Sequence, residues 1–268
     1  MNDGFPQNRP LRILCWAFAV LTTCFLAAPS FIVVLMSFSG SDFLELPPRT
    51  LSLRWYEAFL SSERWLGAAA TSFLLAGLVV MVAVPVGTLG AYGAMRMSER
   101  WRSIVQAFML LPAVVPAILI AVGLFFFYSR IGLVGTLTGL VFGHAVLALP
   151  VVFLVMSAAF ANFDFDQVRA ARSLGAGEVT VWRMIILPQI IYNILVSSLL
   201  AFLTSLDEVV IAMLLSVGRR RTTMPKLMFT SLRDQIDPVI AVVSTLLLVL
   251  ATVVVVVLQL RGNAVRSR

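Results

Sequence analysis

Six long apolar stretches constrain the fold of this chain more strongly than any other feature of its sequence. They lie at about 13–37, 68–95, 104–127, 136–160, 187–216 and 239–260. A helix needs about 20 apolar residues to cross the roughly 30 Å hydrocarbon layer of a membrane, and each stretch is long enough. We therefore expect an all-α polytopic membrane protein with six transmembrane helices, in one domain that covers residues 1–268.

The composition excludes most classes of soluble protein. Hydrophobic residues make up 60% of the chain and charged residues only 12%, and the mean hydropathy is +0.98. Since an ordinary soluble domain carries about 25% charged residues, one soluble core of this size cannot bury so many apolar side chains. The net charge of +7 comes from short basic runs between the apolar stretches. This pattern is typical of contact with anionic membrane lipid and not of nucleic-acid binding.

The chain lacks residues that several catalytic and metal sites require. Lys226 is the only lysine, and it follows no glycine-rich turn, so the chain cannot hydrolyse ATP through a P-loop. His144 is the only histidine, which excludes the zinc motifs that need two histidines. We therefore predict no catalytic residue, no metal site and no cofactor, and we interpret the chain as a non-enzyme. His144 is expected to be a hydrogen-bonded residue of helix packing, with a proton relay as the alternative.

The polar segment 161–186, between the fourth and fifth apolar stretches, is the most informative part of the sequence. Residues 166–174 favour a short helix, and Gly175 is a good helix stop because glycine adopts positive φ without strain. A second amphipathic turn follows, and Pro188 is expected to begin the next span. The pattern predicts a helix–turn–helix on the cytoplasmic face, with three side chains exposed to a partner: Ala170, Ala171 and Leu174.

This spacing resembles the EAA loop of ABC-importer permease subunits, which reads Glu-Ala-Ala-x3-Gly-x9-Ile-x-Leu-Pro. The positions that match in register are Ala170, Ala171, Gly175, Ile185, Leu187 and Pro188. The departure is Arg169, which stands where the family often has glutamate. The resemblance implies the type I ABC-importer permease fold, and it implies that the loop docks in a groove of an ATPase subunit. The residues expected to contact the ATPase are Arg169, Ala170, Ala171, Arg172, Leu174, Gly175 and Ala176.

Further segments are similar to the spermidine/putrescine-type permeases of this family. They are 43–65, 111–116, 144–150, 205–210 and 224–226. The resemblance implies an ATP-driven importer for polyamines or for a related small solute such as an opine. It also implies a second permease subunit, two cytoplasmic ATP-binding subunits and a periplasmic or extracytoplasmic solute-binding protein as partners. The expected location is the bacterial inner membrane, crossed several times, with both termini in the cytoplasm.

Two long external segments, 38–67 and 217–238, are expected to face the solute-binding protein. Their aromatic residues are either docking anchors or part of the aromatic belt at the membrane interface; these are Trp55, Tyr56 and Trp65. The basic run Arg219-Arg220-Arg221 either pairs with acidic residues of that protein or is solvated.

The fifth apolar stretch carries a polar stripe that predicts a translocation path. At 100° per residue, its small and polar side chains share an arc of about 120° of the helix. The residues expected to line the path are Asn193, Ser197, Thr204, Asp207 and Glu208, with Ala201 between them. The two carboxylates either attract a cationic amine near the outer mouth or hold a closed gate. The alternative function is a six-span secondary carrier, driven by an ion gradient through such acidic residues.

Overall fold

The computed structural model describes the backbone of residues 9–216, 221–234 and 237–266, and the side chains in these ranges from Pro10 to Val256. These ranges are almost entirely helical. Their only β-pairing is an isolated antiparallel bridge between Ser39 and Leu51. The predicted all-α fold class is confirmed.

The helices follow one another along the described ranges. They are α1 (Arg9–Ser37), α2 (Arg54–Ser61), α3 (Glu63–Met95), α4 (Glu99–Val114), α5 (Ala117–Ile131), α6 (Leu137–Ala161), α7 (Asp166–Ser173), α8 (Glu178–Val181), α9 (Leu187–Leu206), α10 (Val210–Leu215), α11 (Met224–Asp234) and α12 (Val239–Arg266). A π-helical turn, Trp182–Ile186, joins α8 to α9.

Five helical stretches in the described ranges are long and apolar enough to cross a membrane. They are Pro10–Ser37, Glu63–Met95, Leu137–Ala161, Glu178–Leu206 and Val239–Val256. The consecutive helices α4 and α5 supply a sixth crossing when the bent pair is counted as one span.

The chain forms two compact units. One contains α1, α2 and most of α12, and the other contains α3 to α10 with the first part of α11. In the first unit, α1 is exposed along most of its length, including the free thiols of Cys15 and Cys24. The organisation of residues 1–268 as a single domain stays a prediction.

The third predicted span, 104–127, is not a continuous helix. α4 ends at Val114, α5 begins at Ala117, and the two helices are bent by 100° relative to each other. The cause is local, because the ring of Pro116 disfavours the helical conformation of the residue before it. Val115 is accordingly extended, with φ −76° and ψ 131°. The predicted span 104–127 therefore consists of two helices and not one.

The fifth span begins earlier than predicted. Helical structure starts at Glu178 and not at Pro188, and it continues through the π-helical turn into α9. Proline lacks an N–H group and its ring crowds the carbonyl four residues earlier, so an ordinary α-helical turn is disfavoured before Pro188. In the wider turn, the Leu187 N–H donates to the carbonyl of Trp182, five residues back. The helix therefore absorbs the proline without ending.

The same span ends at Leu206 and not at residue 216. Residues 207–209 interrupt the helix, and α10 is a separate short helix. The carboxylate of Glu208 accepts a hydrogen bond from the N–H of Ile211 at 2.8 Å. This bond satisfies one of the N–H groups that lack a partner at the start of α10. The break is thus stabilised by one of its own side chains.

α6 is the most deeply buried span of the second unit and packs against α3 and α9. α3 approaches α6 closely at Gly87, where a Cβ atom would lie 2.6 Å from Cγ1 of Val152. α10 approaches α6 at Gly143, where a Cβ atom would lie 2.9 Å from Cγ2 of Ile211. Glycines therefore set the distances between these helices, as is common in membrane bundles.

Candidate coupling loop and translocation path

The loop between α6 and α9, called the coupling loop below, contains α7 followed by a tight left-handed turn. Gly175 has φ +84°, and its N–H donates to the carbonyl of Arg172 at 3.0 Å. The N–H of Ala176 donates to the carbonyl of Ala171, also at 3.0 Å. These two bonds form a Schellman motif, which satisfies the free carbonyls at the end of α7. The predicted helix stop at Gly175 is confirmed.

The exposure of the loop differs along its predicted contact residues. Ala170 is exposed, and Leu174 is 88% exposed although its side chain is large and apolar. Ala171 and Ala176 are half-buried, since the Schellman motif brings these two positions together. Of the three side chains predicted to be exposed, Ala171 is therefore only partly so. The inward anchor of α7 is Val168, which is 3% exposed.

The two arginines of the predicted contact surface lie in different environments. Arg169 is 74% exposed and pairs with Asp166 on the same helix. Arg172 is 32% exposed and pairs with Glu178 at the start of α8. The second ion pair closes the turn between α7 and α8, so Arg172 has a role inside the loop.

Sequence reasoning missed two exposed apolar residues on the second arm of the loop. Val179 is 69% exposed and Met184 is 75% exposed. Both belong to the continuous helical stretch that begins at Glu178. The signal that could have identified them is their own apolar character within the second amphipathic turn that the sequence predicts before Pro188.

An aromatic cluster lies where the loop joins the helical bundle, and sequence reasoning missed it as well. Its members are Tyr92, Phe160, Phe163, Phe165 and Trp182. The nearest pair is Tyr92 and Trp182, whose ring centroids are 4.8 Å apart in an edge-to-face arrangement. Within the second unit, the cluster brings the end of α3 and the end of α6 to the base of the loop.

The predicted translocation stripe does not share one environment in the chain. Asn193 and Thr204 are half-buried, whereas Ser197 and Ala201 are fully buried. The Ser197 hydroxyl donates to the carbonyl of Ile194 at 3.0 Å and lies 3.8 Å from the Met156 sulfur of α6. Ser197 therefore packs between helices and is not open to a path in this conformation.

The two acidic residues of the stripe lie in the break after α9. Asp207 is exposed, and Glu208 is half-buried with its carboxylate bound to the Ile211 N–H. α9 ends at Leu206, so the helical periodicity used to place these residues does not extend to Glu208. Their role in a path stays a prediction.

His144 and Ser205 form a buried pair close to this break. His144 is 1% exposed, and its Nδ1 lies 3.0 Å from the Ser205 hydroxyl oxygen. The bond joins α6 to the last turn of α9. The prediction that His144 is a hydrogen-bonded residue of helix packing is confirmed.

A hydrogen-bond network closes the end of the unit that lies away from the loop. The Lys226 ammonium donates to the carbonyl of Ser216, and the Ser216 hydroxyl donates to the carbonyl of Arg221 at 2.5 Å. The Arg221 guanidinium donates to the carbonyl of Gly135 at 3.2 Å. Burial lowers the pKa of Lys226 from its usual value. Arg221 is therefore engaged within the chain, and Arg219 and Arg220 lie outside the described residues.

The same end carries a pocket of about 600 Å³. It lies between the first turns of α3 and the first turns of α11. Its polar lining includes Glu63, Arg64, Thr71, Lys226 and Thr230.

The aromatic residues predicted to dock a partner are partly used by the chain itself. Trp65 is 4% exposed, so it belongs to the core and is not a docking anchor. Trp55 is half-buried and its indole N–H donates to the carbonyl of Ser41 at 3.0 Å. Tyr56 is half-buried and its hydroxyl lies 2.8 Å from that of Ser37.

Proteins with similar sequences include permease proteins of bacterial transport systems. The spermidine/putrescine transport system permease protein PotC of Escherichia coli (strain K12) is 27% identical over 249 residues, which cover 93% of this chain and 94% of that protein. The putrescine transport system permease protein PotI of the same strain is 30% identical over 252 residues, covering 90% of this chain and 89% of that protein.

The fold is similar to that of solved ABC transporters. A chain from the bacterial alginate ABC transporter in complex with an alginate pentasaccharide-bound periplasmic protein superposes with a TM-score of 0.70. The two chains are 17% identical, and the superposition covers 95% of this chain and 94% of the other. Residues 83–264 also match the sequence profile of the family described as "Binding-protein-dependent transport system inner membrane component". Because this match spans more than half of the sequence, the chain belongs to the family of inner membrane components of binding-protein-dependent transport systems.

Proposed function

We propose that this chain is a polyamine-translocating permease subunit whose α6–α9 loop docks on a cytoplasmic ATP-binding subunit. The observation that carries the proposal is the exposure of the large apolar side chain of Leu174 at the hydrogen-bonded Schellman turn. Because the Leu174 side chain is 88% exposed, it contributes little hydrophobic stabilisation to the folded chain alone.

The surface around Leu174 supports docking on a protein partner. Exposed apolar side chains at Val179 and Met184 lie on the second arm of the same loop. Charged groups from Asp166 and Arg169 are exposed on α7, the first helix of the loop. An apolar centre with a polar rim is the usual composition of a protein–protein interface.

The proposed docking fixes which face of the membrane the loop occupies. ATP-binding subunits are cytoplasmic, so the loop and the connection between α3 and α4 lie on the cytoplasmic side. With six crossings, including the bent pair α4 and α5 as one, both termini are then cytoplasmic as well. The break at residues 207–209 and the pocket beside Lys226 lie toward the periplasmic side, where a solute-binding protein delivers the solute.

The proposal of a polyamine as solute has two supports. PotC and PotI are named for spermidine and putrescine transport, and each covers about nine-tenths of this chain. The second support is the pair Asp207 and Glu208, which places carboxylates at the periplasmic end of α9. Carboxylates attract the ammonium groups of a polyamine. The proposed path then runs along the half-buried residues Asn193 and Thr204 toward this pair.

Reconstitution into proteoliposomes tests the proposal. The vesicles carry the permease pair, its ATP-binding subunits and the solute-binding protein. They should take up labelled spermidine or putrescine only when ATP is present on the side of the membrane that carries the ATP-binding subunits. Uptake driven by an ion gradient without ATP would contradict the proposal and favour a secondary carrier.

A Leu174→Asp variant tests the docking surface within the same system. The variant should lose most of the co-purifying ATP-binding subunit, because a carboxylate buried in an apolar contact costs about 2–5 kcal/mol. Leu51→Asp is the matched control, since Leu51 is 78% exposed but lies on the segment before α2. Wild-type co-purification by Leu174→Asp, or equal loss in both variants, would contradict docking through Leu174.

A further inference from the structure

Tyr92 is the residue at which the aromatic cluster converges. It lies near the end of α3 and is 8% exposed. Its ring centroid is 5.5 Å from that of Phe160, 6.2 Å from that of Phe165 and 4.8 Å from that of Trp182. These three rings come from the end of α6, the residue before α7 and the π-helical turn before α9. One side chain thus contacts every element that enters or leaves the coupling loop.

Phe165 connects the cluster directly to α7. Its carbonyl accepts hydrogen bonds from the N–H groups of Val168 and Arg169 at 3.2 and 3.1 Å, which are the first backbone bonds of the helix. Val168 is the buried side chain of α7. The start of α7 is therefore held by buried contacts, while Leu174 at its far end is exposed.

Arg96 also contacts the Tyr92 side chain. Its guanidinium lies 5.3 Å from the ring centroid, and its Nη1 donates to the Tyr92 hydroxyl at 3.0 Å. The ring is consequently fixed at its face and at its hydroxyl. Aromatic rings packed in this way have few conformations, and close-packed groups transmit displacement instead of absorbing it.

We propose that Tyr92 is a positioning residue that makes α7 and the adjoining ends of α3, α6 and α9 move as one body. A displacement of α7 by the ATP-binding subunit then reaches three membrane helices at once. This inference rests on the proposed function, because it takes the loop to be the ATPase contact. It adds the element that converts docking into movement of the membrane helices.

The test is the ratio of solute uptake to ATP hydrolysis in the reconstituted importer. In Tyr92→Leu the ATP-binding subunits should still co-purify, since Leu174 is unchanged. Uptake per ATP hydrolysed should fall by about tenfold, because three ring contacts are lost together. Tyr92→Phe keeps the rings and loses only the bond to Arg96, so it should stay within about twofold of the wild type. Phe126→Leu, on an exposed aromatic residue of α5, should change nothing.

A double-mutant cycle with Trp182→Leu separates positioning from general destabilisation. Because the Tyr92 and Trp182 rings are in contact, the double variant should be no worse than Tyr92→Leu in uptake per ATP. Additive losses would overturn the proposal, as would wild-type coupling in Tyr92→Leu. If Tyr92→Leu does not assemble, Tyr92→Met, which keeps an apolar side chain of similar length, decides by the same ratio. The two proposals are distinguished by co-purification of the ATP-binding subunit. Failure of docking shows as its loss in Leu174→Asp, whereas Tyr92→Leu should retain the subunit and lose only uptake per ATP hydrolysed.

Discussion

Gly175 determines the path of the coupling loop through its backbone conformation. Its φ of +84° is in the left-handed region, and beyond its own chain neighbours no heavy atom lies within 4 Å of the position that a Cβ would occupy. The requirement for glycine is therefore conformational and not a matter of space. Two residues later, Gly177 has φ −72° and equally open surroundings, so nothing in its backbone demands glycine.

This difference gives a prediction with an internal control. Gly175→Ala should destabilise the turn by about 1–2 kcal/mol, the cost of an ordinary residue in the left-handed region. The turn conformation that exposes Leu174 would then be less populated. ATP hydrolysis stimulated by the solute-binding protein should consequently fall several-fold. Gly177→Ala should be near wild type in both properties. Equal effects of the two substitutions, measured by stimulated hydrolysis and by co-purification, would contradict the importance of the left-handed turn.

At the scale of elements, the break between α9 and α10 gives Glu208 two possible uses of one carboxylate. It accepts the Ile211 N–H, which stabilises α10, and it carries a negative charge near the proposed outer mouth. The two uses differ chemically, because a hydrogen bond to a backbone N–H needs an oxygen acceptor but not a charge.

Substitutions at Glu208 separate these uses. Glu208→Gln keeps an oxygen acceptor, so its free energy of unfolding should stay within about 0.5 kcal/mol of the wild-type value. Glu208→Ala loses the hydrogen bond to the Ile211 N–H, which should lower the free energy of unfolding by about 1 kcal/mol. If the charge attracts polyamine, Glu208→Gln should reduce spermidine uptake and leave stimulated ATP hydrolysis intact. Unstimulated, constitutive hydrolysis in Glu208→Gln would instead identify the carboxylate as part of a gate.

Sequence predicts these elements well where apolar length and loop spacing decide the structure. Leu137–Ala161 and the turn at Gly175 both lie within about one residue of their predicted places. The break at Val115 was not predictable to the same degree, because a proline inside a membrane helix either kinks or interrupts it, depending on neighbouring helices. Helical periodicity predicts Ser197 as a path residue because it indicates which residues share a face of the helix. It does not indicate which neighbouring helix covers that face.

At the scale of the whole molecule, the chain depends on partners for energy and for cover. It belongs to a family of transport components and not of enzymes, and its sequence contains no P-loop lysine. Among the described helices, α4 has no fully buried side chain, and the apolar window of α1 is 0% buried. Such surfaces are stable only against lipid or another apolar protein surface. The composition of the sequence predicts that these apolar surfaces need a lipid or protein partner. Which part of the surface contacts lipid and which contacts a second permease is determined by the assembly.

The two free cysteines of α1 provide a native reporter of that division. Cys15 and Cys24 are nine residues apart, which places them about 180° apart around the helix and about 13.5 Å apart along it. Both thiols are exposed in the single chain. If one face of α1 contacts the assembled importer, a lipid-soluble maleimide should label one thiol rapidly and the other slowly, with Cys15→Ala and Cys24→Ala assigning the two signals. Equal labelling of both thiols in the assembled importer would mean that lipid surrounds α1 on every side, and that this helix anchors the permease without joining its protein interface.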